Sequence, residues 1–397
     1  MGIGGKGIES VGAIRRKELE MYIKGQEALK AMVHETGLCT GCGACVNLCP
    51  YQATSKDRTI ILDLCDRDSG RCYAFCPRTP TDLEALRRHL FDPEDLTPEL
   101  GAVKGFYVAR AADETTRRHA QHGGTVTALV TLALAEGIID TAILAEGTLR
   151  GLPRGHSVSI PGDVAHNSSS KFIVAPVIEE FNRAAMTEAK SIGVVATPCQ
   201  ALALAKMRRK PFPKNDSNIG KLRLVIGLFC GWALAYQPLK ELLQRKVGDA
   251  EVIGLDIPPS KYHTMEVATE NGIMEISIDE VEPCIRESCH YCFDMTAEFS
   301  DVSVGSARLP EGWEVARGWN QVLVRTDMGR QLLELAKAKK ILEFREVPEG
   351  NLDRLKQASM NKKAEAVRRL ARLSGSTADL LYLDCKDPVL CALDSSV

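Results

Sequence analysis

The sequence lacks an excess of charge of either sign. Its 397 residues include 50 Lys and Arg against 52 Asp and Glu, which gives a formal net charge of -2. Such a balance provides no general electrostatic attraction to the phosphates of nucleic acids or to anionic lipids. We therefore expect no nucleic-acid partner.

Long hydrophobic runs are also missing. The longest apolar stretch, from Ala128 to Ala145, is interrupted by Glu136, Gly137 and Asp140, which argues against a membrane span. The sequence begins MGIGGK and shows no apolar core followed by a small-residue cleavage site, so no secretory signal is visible. We therefore expect a cytoplasmic protein without a membrane span.

Cysteine, in contrast, is abundant, with 14 residues. In a reducing compartment their spacing indicates metal binding rather than disulfides. Seven of them lie between Cys39 and Cys76 and begin with CTGCGACVNLCP, the bacterial ferredoxin pattern C-x2-C-x2-C-x3-C-P, in which the cysteine before proline crosses to a second cluster. The pattern predicts a protein that moves single electrons, with one four-iron cluster on Cys39, Cys42, Cys45 and Cys76.

The second half of this cysteine-rich stretch is incomplete. It reads CDRDSGRCYAFCP from Cys65 to Pro77 and lacks the middle cysteine of the motif. The cysteines left for a second cluster are Cys49, Cys65 and Cys72. Three alternatives are open for these cysteines: a three-iron cluster, a four-iron cluster with Asp68 or solvent as the fourth ligand, or no cluster. Without a cluster, they form a zinc site or are buried thiols that bind no metal.

The rest of the sequence predicts a second, larger unit. Short apolar runs alternate with helical patterns after Val103, which is typical of an α/β domain with a largely parallel sheet. Residues 252–280 resemble an antiparallel insertion, with turns at Pro258-Pro259 and Asn271-Gly272. We expect a helical lead-in (1–34), a small α+β ferredoxin-like domain (35–80), a linker (81–102), the α/β domain (103–345) and a helical C-terminal tail (346–397).

Four further cysteines are candidate ligands in the α/β domain. Cys199 and Cys230 follow two predicted strands, and ligands of open α/β sheets gather beyond the carboxyl ends of the strands. Cys289 and Cys292 form a C-x2-C pair, so the set predicts another four-iron site. Cys284 is a spare near this pair, and we expect Cys385 and Cys391 not to bind metal.

Two segments have the composition of a phosphate site. Gly123, Gly124, Thr125 and Thr127 precede and begin a predicted helix, whose N-terminal N–H groups favour anions. Ser170 and Lys171 offer a hydroxyl and a cation in one loop. Each segment is also typical of an ordinary surface turn, and Lys261 is a further candidate cation. The basic stretch Lys362 to Arg372 predicts either a docking helix for a partner or a solvated amphipathic helix.

Five segments together carry a resemblance to a known family. They are HGGTVTAL from His122, SKF from Ser170, ATPCQ from Ala196, GLFC from Gly227, and CHYCFDMTAEFSDVSVG from Cys289. In this order they resemble the beta subunits of coenzyme F420-reducing hydrogenase and F420-dependent formate dehydrogenase, over residues 103–345. The ferredoxin-like part is similar to that of extended members, which include subunits of F420H2 dehydrogenases.

The resemblance implies FAD in the α/β domain beside a four-iron cluster on Cys199, Cys230, Cys289 and Cys292. The implied FAD contacts are Gly123, Gly124, Thr125, Thr127, Ser170 and Lys171. His122 stands where the family commonly has Asp or Ser. The implied activity is hydride exchange between coenzyme F420 and FAD, with single electrons passing through the clusters to a partner subunit or a ferredoxin-type carrier. The alternatives are a ferredoxin-dependent flavin reductase of another organic substrate, and an electron-relay subunit without a substrate of its own.

Overall fold

The cysteine-rich part of the chain folds around short helices and a β-hairpin. The computed structural model describes residues 24–147, 151–209 and 218–394. Helix α1 (Gln26–Leu29) continues into a π-helical turn (Lys30–His34), while the first 23 residues of the predicted lead-in lie outside the described part. Strands β1 (Gln52–Ser55) and β2 (Arg58–Ile61) pair antiparallel, and the four-residue helix α2 (Arg71–Ala74) carries Cys72.

Residues 81–102, expected to be a linker, contain regular structure. Helix α3 (Leu83–Leu90) begins where the Asp82 carboxylate accepts a hydrogen bond from the Ala85 N–H at 2.9 Å, the usual N-cap arrangement. Strands β3 (Leu96–Thr97) and β4 (Gly101–Ala102) follow as an antiparallel pair. The proline and acidic composition of this segment predicted a linker because those residues also serve as caps and turns.

The larger unit is built from eleven strands and the helices between them. The strands are Gly105–Ala111 (β5), Thr141–Glu146 (β6), Arg154–Val158 (β7), Ile192–Ala196 (β8), Leu222–Leu228 (β9), Val252–Asp256 (β10), Thr264–Thr269 (β11), Gly272–Ser277 (β12), Val302–Ser306 (β13), Asn320–Val324 (β14) and Leu342–Arg345 (β15). The helices are Glu114–His119 (α4), Thr125–Ala135 (α5), Val177–Ala184 (α6), Pro198–Arg208 (α7), Tyr236–Val247 (α8), Ile278–Val281 (α9), Trp313–Ala316 (α10), Asp327–Ala338 (α11), Asn351–Ser374 (α12) and Pro388–Asp394 (α13).

Eight of these strands form one mixed sheet in the order β15-β5-β14-β13-β9-β8-β6-β7. Only the central pairs β13–β9, β9–β8 and β8–β6 are parallel, and the four outer pairs are antiparallel. The prediction of a largely parallel sheet was therefore wrong. Crossover helices are needed only between parallel strands, and the sequence pattern did not reveal which short runs lacked a crossover.

Both faces of the sheet are covered. One face packs against α6, α7 and the tail helix α12, for example through Phe181, Leu204 and Leu370. The other face packs against α5 and α11, for example through Leu129 and Leu332. The helix predicted after Gly123-Gly124 is α5, and the strand predicted before Cys230 is β9.

The predicted antiparallel insertion is present as the three-stranded sheet β10-β11-β12. The turn at Asn271-Gly272 joins β11 to β12, with Thr269 opposite Gly272. This sheet packs with α8 on its own apolar cluster, which includes Cys284. Across the described part of the chain, no helix combines the length and the apolar character that crossing a membrane would require.

Candidate functional site

A cavity of 380 Å³ lies at the carboxyl ends of the parallel strands. Ala145 of β6, Val195 of β8, Leu228 of β9 and Val304 of β13 all contribute to its wall. Its size is within the usual range for small-molecule and cofactor sites. The position is the one at which open α/β sheets bind ligands, because loops and helix N-termini converge there.

The start of α5 forms one side of the cavity. Gly124, Thr125 and Thr127 line it, whereas Gly123 does not. Gly124 has a φ of 76° and precedes the first helical residue. A Cβ atom on Gly123 would lie 2.8 Å from Oδ1 of Asn320, so this glycine permits close packing behind the helix N-terminus. The N-terminus of α5 therefore lies at the cavity without an acidic cap, and its Thr125 N–H donates to Oδ1 of Asn320 at 3.3 Å.

The loop Ser168–Lys171 forms a second side of the cavity. Ser170 and Lys171 both line it, and the Ser170 N–H donates to Oε1 of Gln121 at 3.2 Å. The Lys171 ammonium donates to the Ser168 carbonyl at 3.1 Å, and partial burial lowers its pKa. Lys261, the other predicted cation, is exposed, stacks on Tyr262 and does not line the cavity.

Four predicted thiols line the same cavity, namely those of Cys199, Cys230, Cys289 and Cys292. Cys199 lies in the first turn of α7, 3.4 Å from the Thr197 hydroxyl. The Cys289 sulfur accepts a hydrogen bond from the Ala233 N–H at 3.3 Å. The Cys230 thiol interacts electrostatically with the other three, and burial raises its pKa. We name these four the cavity thiols.

A second group of thiols combines the first ferredoxin motif with the cysteine before Pro77. Cys45 interacts electrostatically with Cys39, Cys42 and Cys76. Burial raises the pKa of Cys76 to about 12 and raises that of Cys42 further. The structure thus brings together the four predicted members of this group, which we name the inner ferredoxin thiols. Cys42 also interacts with Cys199, so the inner ferredoxin thiols adjoin the cavity thiols.

The remaining ferredoxin cysteines form a third group. Burial raises the pKa of Cys72 to about 11, and both Cys49 and Cys65 lie close enough to contribute electrostatically. We name these three the outer ferredoxin thiols. In residues 24–147, 151–209 and 218–394, no three His, Cys, Asp or Glu side chains are arranged to hold a single metal ion. In an iron–sulfur cluster the thiolates bind separate iron atoms.

The other cysteines whose side chains the structure describes, Cys284 and Cys385, do not line the cavity. Cys284 is buried in the cluster beneath the antiparallel insertion, and burial raises its pKa. Cys385 packs against the core on the α12 face of the sheet. The side chain of Cys391 is outside the described part of the structure.

Two buried cations at the thiols were missed by sequence reasoning. Arg78 donates to the carbonyl oxygens of Ser288 at 3.0 Å and Tyr291 at 3.3 Å. Burial disfavours the charged form of Arg78. The Tyr382 hydroxyl and the thiols of Cys292 and Cys199 favour that form more strongly, so the pKa of Arg78 is raised. Its place directly after Cys76-Pro77 was the available signal.

Lys206 is the second missed cation. From the interior of α7 its ammonium donates to the Cys76 carbonyl at 2.7 Å, the Thr79 carbonyl at 3.1 Å, and the hydroxyls of Thr79 and Thr81, each at 2.9 Å. Burial lowers its pKa to about 7. A lysine inside the otherwise apolar run ALALAKM was the signal. Because α7 begins at the Cys199 turn, one helix fixes parts of two thiol groups.

A polar cluster closes the far side of the cavity. His122 and Asp256 line it, and Nε2 of His122 lies 3.9 Å from the Asp256 carboxylate. Asp256 also pairs with Arg317 at 3.2 Å. Burial lowers the pKa of His122, and its Nδ1 has no hydrogen-bond partner in the described structure.

The predicted basic docking helix is partly turned inward. Lys362 lines the cavity, and its ammonium donates to the carbonyl oxygens of Cys230, at 3.3 Å, and Gly231. Lys363 is fully buried and pairs with Glu298. The first turn of this stretch thus contributes to the cavity and to the core of the fold.

Family comparisons agree with this geometry. Residues 106–181 match the family model described as coenzyme F420 hydrogenase/dehydrogenase, beta subunit N-term, and residues 189–350 match the corresponding C terminus model. Together the two models match more than half of the chain. Residues 32–54 match the 4Fe-4S binding domain. The resemblance inferred from the sequence is confirmed.

Individual relatives point the same way. The coenzyme F420 hydrogenase subunit beta of Methanothermobacter thermautotrophicus is 29% identical over 68% of this chain and 95% of its own length. An F420H2 dehydrogenase subunit of Methanosarcina mazei is 26% identical over 85% of this chain and 92% of its own length. A chain of the F420-reducing NiFe hydrogenase complex from Methanosarcina barkeri has a TM-score of 0.63 and 25% identity, covering 70% of this chain and 94% of its own.

Proposed function

Because the chain belongs to the family of coenzyme F420 hydrogenase/dehydrogenase beta subunits, we propose that it exchanges a hydride between coenzyme F420 and bound FAD. It is an F420-linked oxidoreductase subunit that carries a 4Fe-4S motif. In the finer proposal, single electrons pass between the FAD and a partner subunit or a ferredoxin-type carrier through four-iron clusters.

One observation carries the proposal: the cavity thiols share a single cavity with a helix N-terminus and a lysine. The residues present suit FAD, because the first-turn N–H groups of α5 and the Lys171 ammonium are donors of the kind that bind phosphates. Gly124 leaves room for close approach of a ligand to the backbone. FAD, when bound, supplies the conversion between two-electron and one-electron transfer.

The cavity thiols suit a four-iron cluster. Four sulfur ligands without nitrogen or oxygen donors match the donor set of such clusters. Their surroundings supply positive charge, since Lys362 and Arg78 both reach them. Burying four thiolates without a metal or cations would be strongly unfavourable. These four cysteines would hold a cluster at the wall of the cavity, where it would supply one-electron transfer.

The inner ferredoxin thiols give electrons a way out of the cavity. The Ile178 N–H of α6 donates to the Cys42 carbonyl at 3.2 Å. A Cβ atom on Gly43 would lie 2.7 Å from the Glu179 backbone nitrogen, so the ferredoxin-like part is packed directly on α6. Close packing here keeps Cys42 beside Cys199, and short separations favour electron transfer. A partner subunit or carrier would then receive or supply electrons at the ferredoxin-like part.

The test is an anaerobic titration of the purified full-length protein with reduced F420, after FAD and iron have been quantified. We expect reduced F420 to be oxidised while the flavin and iron–sulfur absorbance bleach. In Cys230→Ser the flavin should still bleach, but the part of the iron–sulfur bleaching due to the cavity thiols should be lost. Cys284→Ser, a buried cysteine outside the three thiol groups, is the matched control and should behave like the wild type.

One result of this titration would contradict the proposal. In that result the protein contains its full FAD and iron and dithionite bleaches the centres, but reduced F420 does not. Screening for an organic acceptor with reduced ferredoxin would then separate the two alternatives. Turnover would indicate a flavin reductase of another substrate, and its absence would indicate an electron relay.

A further inference from the structure

The second ferredoxin motif has an aspartate in the place of its missing cysteine. In the first motif Cys42 lies three residues after Cys39, and in the second motif Asp68 lies three residues after Cys65. The spacing from Cys72 to Cys76-Pro77 equals that from Cys45 to Cys49-Pro50. Asp68 therefore occupies the middle-cysteine position, with one extra residue between it and Cys72.

The three segments that carry the outer ferredoxin thiols are held in place by partly buried hydrogen bonds. Gln26, which is 4% exposed, donates to the Asp63 carbonyl at 2.9 Å and accepts from the Cys65 N–H at 2.9 Å. Arg71, next to Cys72, donates to the Leu48 carbonyl at 2.7 Å, next to Cys49. Cys72 thus stays close to both other thiols, as a site shared by the three requires.

The loop with Asp68 is fixed in position although its side chain is exposed. A Cβ atom on Gly25 would lie 2.0 Å from the Arg67 carbonyl oxygen and 3.3 Å from the Asp68 carbonyl carbon. The close approach of Gly25 therefore holds the loop backbone against α1. The Asp68 side chain is exposed, and no hydrogen bond or ion pair ties it to the described residues.

In the described structure, the thiols that act electrostatically on Cys72 are those of Cys49 and Cys65. Among the cysteines whose side chains the structure describes, eight belong to the cavity thiols and the inner ferredoxin thiols. Cys284 lies in the core beneath the insertion. The outer group therefore offers three sulfur ligands and, at the position of the missing one, a carboxylate.

We propose that Cys49, Cys65 and Cys72 bind a second ferredoxin-type cluster through three thiolates, and that Asp68 holds its fourth iron, which is exchangeable. Sulfide-bound iron prefers thiolate to carboxylate, so this corner of the cluster is the weakest. With ferricyanide as oxidant, the four-iron cluster releases one Fe²⁺ and passes one electron to ferricyanide. The three thiolates retain the oxidised three-iron product. The inference rests on the ferredoxin-like part and holds whether or not the chain uses F420.

The test uses the anaerobically reconstituted full-length protein and EPR spectroscopy. Before oxidation, the wild type should lack the near-isotropic signal of an oxidised three-iron cluster. After ferricyanide, this signal should reach about one spin per chain, and Fe²⁺ with a thiol reductant should remove it. Asp68→Cys should suppress the signal after the same treatment, because a fourth thiolate retains the iron. Asp68→Ala should hold about one iron fewer per chain than the wild type before any oxidant is added, and Fe²⁺ with a thiol reductant should then fail to restore the four-iron cluster.

Two controls keep the result specific to the outer group. Asp66→Ala changes an equally exposed acid two residues away and should match the wild type. Cys72→Ser should abolish the signal and lower the iron content by about three to four atoms per chain. The proposal is overturned if wild-type protein holds only about eight irons per chain and shows no signal, or if both Asp68 variants behave like the wild type. The F420 titration on the same samples reports separately on the flavin site.

Discussion

Replacing Lys206 with Met should release the Cys76 segment from α7. Met keeps the apolar stem of the side chain but removes the ammonium group, which donates to two backbone carbonyls and two hydroxyls between Cys76 and Thr81. The lysine is 8% exposed, so water cannot readily replace it. We therefore expect a loss of both stability and cluster retention.

The magnitude follows from the hydrogen bonds. A bond to a charged group contributes about 1.5–3 kcal/mol, and bonds that share one donor do not add. The Thr79 hydroxyl keeps its own bonds to the Tyr73 and Cys76 carbonyls, which limits the number of orphaned acceptors. We expect Lys206→Met to lower the free energy of unfolding by about 2–4 kcal/mol. Since Cys76 is the predicted crossing ligand, iron should be lost first from the inner ferredoxin thiols.

The assay is anaerobic guanidinium denaturation, followed by iron quantification and EPR of the reduced protein. Lys221→Met is the matched control, because its ammonium also donates to two carbonyls, those of Ala185 and Thr187, but is only partly buried and far from the thiols. That variant should lose about 0.5–1 kcal/mol and no iron. The reasoning fails if Lys206→Met keeps all of its iron and is destabilised no more than Lys221→Met.

Three further outcomes are expected. Gly305→Ala should lower the FAD content, and it should lower the free energy of unfolding by about 1–3 kcal/mol, because its Cβ would lie 2.1 Å from the Phe229 ring. Gly220→Ala is the control and should change neither quantity, because the space around Gly220 is open. Cys230→Ser should remove about four irons per chain, and equal iron content in variant and wild type would contradict the assignment. His122 has a pKa lowered by burial, so below its unfolded pKa the unfolded chain binds more protons and stability falls as pH falls. His122→Asn should flatten that slope in denaturation curves measured from about pH 8 to 5.5, whereas an unchanged slope would assign it to other groups.

Local spacing made the cysteine groups and several elements predictable. The ferredoxin motif specifies which thiolates converge, so the grouping of Cys76 with Cys39, Cys42 and Cys45 followed from a rule about the cysteine before proline. Helix α5 was predictable because an apolar run follows a glycine pair directly. These features depend on residues near one another in the chain.

Long-range placement was not predictable in the same way. The position of Arg78 directly after Cys76-Pro77 marks it as a neighbour of the ferredoxin motif, but nothing local shows that it contacts Tyr291, 213 residues away. The antiparallel outer strands have the same short apolar pattern as the parallel central ones, so strand direction depended on connections rather than on composition. Lys362 was interpreted as part of a surface stretch because helical periodicity does not show which neighbour covers the helix.

The three thiol groups differ in the cations that lie near them. Arg78 and Lys362 reach the cavity thiols, and Lys206 reaches the inner ferredoxin thiols at Cys76. Arg286 donates to the Cys39 carbonyl at 2.9 Å, and its charge favours the thiolate form of Cys289. It therefore lies near one cysteine of the inner ferredoxin thiols and one of the cavity thiols.

Each of these cations offsets negative charge that burial would otherwise disfavour, and each ties the loop of one ligand to a distant element. The outer ferredoxin thiols are arranged differently. Cys49 and Cys65 are only partly buried, the acidic loop beside them is exposed, and Arg71, which donates to the Leu48 carbonyl, is half-buried. Solvent therefore has a larger part in offsetting charge there than at the other two groups. A cluster in such surroundings is the one from which iron is most easily lost and to which an external electron carrier has the shortest approach.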